Sequence, residues 1–375
     1  MDLFKQAKPY LAVIFKQFGY AGSAIISKSA LNKGMSHYAF AIYRNLFAAA
    51  VFAPFAVVLE RKVRPRMTIS VLWKIILLGL LEPVIDQNLY YAAMKYTTAT
   101  FAVSMTNMLP ALTFLLAWIL RLEEVNTRRL HSQIKIAGTI ITVGGAMIMT
   151  VVRGPAINLP WTRADANVQS PAAANPQDPI KGALMISAGC FCWASFHILQ
   201  AMTVKSYPAC LSLTSMICTA GALQGTIVTL VAERGNPSVW SIHFDTILMS
   251  YVYSGVVTSG VGYCISGIIM RAKGPVFVTA FSPLSMVIVA FMSTFILAER
   301  LTFGRVFGAI SIVTGLYLVI WGKCKDQISP SKSTNVDETD PIDEQLPDKN
   351  LTTKSSNDEK NDATKGDIAG GDNAV

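Results

Sequence analysis

Runs of roughly twenty mostly apolar residues, the length that carries a helix across a bilayer, recur along the chain as far as position 321, separated by short polar stretches. Ten can be counted, at about 10–31, 38–59, 71–95, 98–120, 133–152, 181–203, 211–232, 247–270, 275–298 and 303–321. A barrel strand needs only about 9–11 alternating residues, so runs of this length predict an all-α membrane protein with ten transmembrane helices. The first run follows Lys5 and Lys8, contains Lys16 and is too long for a signal-peptide core, so it reads as a retained helix.

The hydrophobic pattern also repeats at a larger scale. Sliding the chain on itself by 176 residues pairs Gly79 with Gly255, Met94-Lys95 with Met270-Arg271, Phe101 with Phe277 and Glu123 with Glu299. Beyond that loop the offset falls to 170 and pairs Gly138 with Gly308 and Gly145 with Gly315. Helices one to five therefore repeat as six to ten. Five is an odd number of crossings, so the second copy enters the membrane upside down relative to the first, the inverted-repeat plan of secondary transporters with a solute site near the midplane.

Composition agrees: 52% of the 375 residues are hydrophobic, 15% are charged, and the mean hydropathy is +0.43, too apolar for a water-soluble chain of this size. The net charge of +9 divides unevenly, because residues 326–375 hold 12 acidic and 5 basic side chains. That tail is poor in large apolar residues and reads as disordered, free to recruit cytosolic partners. With the N-terminus inside, 14 short-loop Lys and Arg fall on the inner side and 8 on the outer, which places both termini in the cytosol. The expected organisation is a cytosolic N-terminus (1–9), a first five-helix repeat (10–152), a Pro- and Ala-rich extracytosolic linker (153–180), a second repeat (181–321) and the tail (322–375).

Four segments carry a family resemblance: Gln17-Phe-Gly-Tyr-Ala-Gly22, Glu82-Pro-Val-Ile-Asp-Gln-Asn-Leu-Tyr-Tyr91, Gly144-Gly-Ala-Met147 and Gly274-Pro-Val-Phe-Val-Thr279. Over about residues 8–323 the chain resembles the plant nodulin-21-like, Walls-Are-Thin-related transporters of the drug/metabolite transporter superfamily. The resemblance implies ten helices as two EamA-type repeats. It is nearest to the members described as usually-multiple-acids-move-in-and-out transporters, which move amino acids across the plasma membrane. Other members carry auxin at the vacuole, so substrate and compartment do not follow from family alone.

An ionisable side chain at the centre of a spanning helix costs about 2.5–3.5 kcal/mol on insertion scales and marks a pathway by default. Helix three carries two, Glu82 and Asp86, one helical turn apart on one face, with Gln87 and Asn88 beside them and Pro83 interrupting the hydrogen-bond ladder. Asn107 and Arg44 fall at comparable depth, with Gln17 and Tyr20 deeper, while Trp193 and Tyr263 represent the second half. These ten residues are the candidate substrate pathway. For an amino acid, Arg44 or a lysine would hold the α-carboxylate and Asp86 or Glu82 would face the α-ammonium. Alternatively Arg44 pairs with one of those carboxylates and touches no solute. Lys16 and Lys28 sit near enough to the ends of helix one to snorkel; Lys28 reads as snorkelling, while Lys16 divides evenly between that and a place inside. His197 reads as a packing residue rather than a proton relay, and Glu123 and Glu299 read as caps or surface ion pairs.

No G-x-x-x-x-G-K-[ST] phosphate loop, metal-ligand spacing or nucleophile elbow is present. ATP-driven transport in this chain, nucleotide or nucleic-acid binding, a metal, a cofactor and an enzymatic role are therefore not expected. The six cysteines read as small apolar residues. What remains is an alternating-access carrier for a small polar solute in a lipid bilayer, at the plasma membrane or the vacuolar membrane. Amino acids are the first reading and auxin or another weak organic acid the second. A receptor or scaffold that transports nothing is the rival from another class.

Overall fold

In the computed structural model the described residues are 2–33, 36–93, 96, 105–123, 130–152, 156–157, 179–232, 240, 245–296 and 301–333. The chain divides into two units, Met1–Ser329 and Pro330–Val375. The first holds nearly all the described residues and is helical almost throughout. Its helices are α1 (Asp2–Asn32), α2 (His37–Leu59), α3 (Ile69–Leu80), α4 (Gln87–Ala93), α5 (Leu109–Ile119), α6 (Leu130–Val151), α7 (Pro179–Ser206), α8 (Cys210–Ala232), α9 (Thr246–Tyr253), α10 (Gly262–Lys273), α11 (Pro275–Ala280) and α12 (Ser282–Ile296), with α13 (Phe303–Ser333) running on past the unit boundary. Two short strands, β1 (Ala156–Ile157) and β2 (Leu301–Thr302), pair antiparallel.

Among the described residues five helical stretches are long and apolar enough to cross a membrane: Tyr38–Leu59, Ile180–Ser206, Cys210–Ala232, Thr246–Lys273 and Pro275–Met292. Across these and the other helices, the outer faces carry large apolar side chains such as Phe15, Val58, Trp73, Ile227 and Phe307, all more than half exposed. That surface suits lipid rather than water. The interior is packed with Leu78, Phe196, Leu213 and Ile217 in one cluster and Val13, Met270, Phe277 and Phe281 in another.

Two spans expected to be continuous are interrupted. Between α3 and α4, residues Leu81–Asp86 form a π turn. Pro83 has no amide proton to donate, so the ladder widens around it. Between α9 and α10, residues Ser254–Val261 form a second π turn with no proline, built on small residues including Gly255 and Gly260. The offset of 176 carries 81–86 onto 257–262, so the two copies widen at the same place. The fourth and ninth expected spans also break near each other, at the turn Asn107–Met108 before α5 and at Phe281 between α11 and α12, which the offset carries onto Met105.

The helix crossings exchange between the copies in the same way. A Cβ on Gly79 would lie 2.9 Å from the Cβ of Ala220, and a Cβ on Gly255 would lie 2.5 Å from the carbonyl oxygen of Arg44. The offset relates Gly79 to Gly255 and Arg44 to Ala220. Likewise a Cβ on Gly138 would meet the Gly315 carbonyl at 2.8 Å, and one on Gly145 the Gly308 carbonyl at 3.0 Å. Both pairs are what a twofold relation between copies produces, and glycine is required because the backbones approach too closely for any side chain.

Several boundaries differ from expectation. Helix α1 begins at Asp2, so Lys8 and Pro9 lie inside it. Helix α13 runs to Ser333 rather than ending near 321. Of the expected linker, Ala156 and Ile157 pair with β2, tying the end of α6 to the start of α13. Residues 97–104, Glu299 and the tail beyond Ser333 lie outside the described residues.

Candidate functional site

The wide turn after α3 aims Glu82 into the bundle, where it is 7% exposed. There it meets Arg44 of α2, also 7% exposed, with Nη2 at 3.1 Å from Oε1. The Tyr263 hydroxyl, at the start of α10, donates to Glu82 Oε2 and accepts from Arg44 Nη2 at 3.4 Å. With its amide oxygen facing the guanidinium, Gln87 accepts from both Arg44 Nη1 and Nη2 at 2.7 Å; the opposite orientation offers only a 3.5 Å donation to Glu82. The offset of 176 relates Gln87 to Tyr263, so equivalent positions of the two copies flank one ion pair. Desolvating two charges is expensive, and the surrounding hydrogen bonds make the pair sustainable at this depth.

Two further charges stand beside the pair. Lys16 of α1 is 6% exposed, with its ammonium 5.0 Å from the centroid of the Tyr20 ring, and lies within electrostatic reach of Glu82 and His197. Tyr20 in turn packs over Gly262, whose absent side chain makes the room. Asp86 is partly exposed at the end of the π turn and faces Gly189 of α7, where a Cβ would come within 2.9 Å of Oδ1. Neither Lys16 nor Asp86 forms an ion pair among the described residues.

Helix α7 closes the other wall. The Trp193 and His197 rings lie 6.1 Å apart, Phe196 packs on Tyr263, and Gln200 Nε2 donates to the Tyr263 carbonyl at 3.0 Å. Four polar atoms around the centre have no hydrogen-bond partner among the described residues: Gln17 Nε2, Arg44 Nε, His197 Nδ1 and Gln200 Oε1. Buried polar atoms left unpaired are destabilising by about 1–3 kcal/mol each unless water or a ligand meets them.

Gln17, Tyr20, Arg44, Glu82, Asp86, Gln87, Trp193 and Tyr263 are thus drawn from five helices to one region. Asn88 is not recruited, because its Nδ2 donates to Val84 O at 2.7 Å on its own helix. Asn107 is buried in the turn leading into α5. Lys16, divided at the sequence level between snorkelling and burial, is inside, and the side chain of Lys28 is outside the described residues. Glu123 forms the ion pair that was one of its two expected roles, but away from the open surface: it accepts at 3.4 Å from Lys135, which is 2% exposed, because α6 folds back against the end of α5. Among the described residues no three His, Cys, Asp or Glu side chains gather as metal ligands would.

A helical bundle with lipid-suited flanks and a charged, incompletely satisfied centre is the architecture of a multi-pass membrane protein. The profile of the EamA-like transporter family matches the chain twice, over residues 7–151 and 180–321, and the chain belongs to that family. It is 58% identical over 330 residues to the WAT1-related protein At2g39510 of Arabidopsis thaliana, covering 88% of each chain, and 54% identical to the WAT1-related protein At2g37460, covering 87% of this chain and 85% of the relative. A crystal structure of a protein 15% identical superposes with a TM-score of 0.63 over 83% of this chain and 96% of the other, a likeness of fold. The chain is accordingly a WAT1-related, EamA-type membrane transporter.

Proposed function

We propose that this transporter carries amino acids by alternating access, with two inverted five-helix repeats (10–152 and 181–321) crossing the membrane ten times around the centre described above. The observation that carries the reading is the pair of opposite charges with no ion-pair partner among the described residues, the buried Lys16 and the partly exposed Asp86, beside the internally neutral Arg44–Glu82 pair. A zwitterion presents one carboxylate and one ammonium, which those two side chains complement. The unpaired atoms of Gln17, His197 and Gln200 supply hydrogen bonds to the same solute. Such a solute supplies counter-charges to side chains that would otherwise be desolvated without a partner.

The exchanged glycine crossings support a twofold relation between the copies, and the two π turns supply matching weak points about which each copy bends. Both termini lie in the cytosol and the linker outside, at the plasma membrane, with the tail available to cytosolic partners. A second reading, a weak organic acid such as auxin, is favoured by Lys16 alone, since such a solute needs a cation and an apolar slot but no carboxylate partner. Counterflow of labelled amino acids into proteoliposomes, with auxin as competitor, separates the two. Amino-acid counterflow abolished by Asp86→Asn supports the zwitterion. Auxin flux insensitive to Asp86→Asn and lost in Lys16→Gln supports the weak acid, and no flux of either overturns both.

A further inference from the structure

Where α2 ends, Ala56, Val57, Val58, Arg61 and Arg64 line an open cavity of about 360 Å³, within the range of about 300–1,000 Å³ that holds small ligands. Its walls differ in character. Val57 and Val58 are 60% and 75% exposed, and belong to the lipid-facing flank of α2. Arg61 and Arg64 stand just beyond the last helical turn, beside Lys62 and Arg66, in a segment whose one acidic residue is Glu60.

Glu60 is engaged elsewhere. Its two oxygens accept from the backbone amides of Leu211 and Ser212 at 2.9 and 2.7 Å, capping the start of α8. Among the described residues it forms no ion pair with the four cations. Arg64 is held in place, since its Nε donates at 2.8 Å to the hydroxyl of Tyr207, a fully buried side chain. That bond uses one edge of the guanidinium, and its terminal nitrogens and the whole of Arg61 have no partner among the described residues. An anchored guanidinium with free Nη groups, next to a second arginine and above an apolar wall, matches a phosphate whose acyl chains run along the helix.

We propose that this cavity seats the headgroup of an anionic phospholipid, with the phosphate on Arg61 and Arg64 and the first part of an acyl chain against Val57 and Val58. The proposal rests on the topology above only for the choice of leaflet: with the α2–α3 loop in the cytosol, the occupant comes from the anionic cytosolic leaflet. It is independent of what solute the centre carries.

The test uses the purified full chain in neutral detergent, titrated with short-chain phosphatidylserine or phosphatidylcholine, bound lipid being counted by native mass spectrometry. Phosphatidylserine binds and phosphatidylcholine does not. Arg61→Gln, a change at an exposed and unpaired side chain, weakens binding about 5-fold, and Arg61→Gln with Arg64→Gln about 25-fold, at roughly one such factor per cation removed. Lys205→Gln, outside the cavity, leaves it unchanged. Equal binding of phosphatidylcholine, indifference to Arg61→Gln, or displacement of the lipid by an equal concentration of inorganic phosphate overturns the proposal. Weakened lipid binding in Arg61→Gln with solute counterflow intact separates this site from the central one.

Discussion

Removing one side of the Arg44–Glu82 pair exposes how the centre is held together. Arg44→Met strands the Glu82 carboxylate in a site where it is 7% exposed. Breaking a buried pair from one side destabilises by about 3–5 kcal/mol. The Tyr263 hydroxyl and the nearby Lys16 remain as partial compensation, which points to about 3 kcal/mol. Glu82→Gln removes a charge-assisted hydrogen bond worth about 1.5–3 kcal/mol but leaves Arg44 its bonds to Gln87, so about 2 kcal/mol is expected. The double variant leaves no charge stranded and loses only about 2 kcal/mol in all, so the coupling between the sites is about 3 kcal/mol. Denaturant unfolding of the purified protein in mixed micelles, followed by tryptophan fluorescence, measures all three variants. A coupling below about 0.5 kcal/mol, the level of independent sites, would refute the view that each charge is sustained by the other.

Tyr263→Phe removes the hydroxyl shared by Glu82 and Arg44 and is expected to destabilise by about 1–2 kcal/mol, with slower counterflow, checked by the same unfolding series and by flux. Asp86→Asn and Lys16→Gln remove charges that no ion pair supports, so transport falls at least tenfold while the unfolding midpoint holds or rises; a large loss of stability would mark them as structural instead. Gly255→Ala and its repeat equivalent Gly79→Ala each force apart a helix crossing in near-contact, so both lower the yield of folded, monodisperse protein on gel filtration. Full tolerance at one and loss at the other would argue against equivalent crossings.

Much of this was legible in the chain. Glu82 and Asp86 share a face across the break at Pro83, with Gln87 beside them, and a proline in a spanning helix announces its own interruption. The second π turn carries no such mark, since Ser254–Val261 contains no proline and only the offset of 176 points to it. Tyr263 was recognisable as polar and deep, but its bond to Glu82 joins residues 181 apart and depends on how the copies dock. Lys16 lies within a few residues of a helix end, so hydropathy alone divides between snorkelling and burial; the open space over Gly262 that admits Tyr20, and Lys16 with it, decides for burial. Asn88 was misleading because an amide on a helix readily satisfies itself on the preceding turn. Lys135 escaped notice for the opposite reason, as a lysine near a span boundary looks solvated until α5 and α6 close over it.

A cysteine placed at Gln17, in a chain otherwise free of cysteine, tests the central claim most directly. Gln17 is 2% exposed and its amide nitrogen is unpartnered beside the charged centre. If the two copies open that centre alternately to each side, a membrane-impermeant thiol reagent modifies Gln17→Cys from either face of sealed vesicles, and transported solute slows both reactions. Modification from one face only, or from neither, would contradict alternating access around this site.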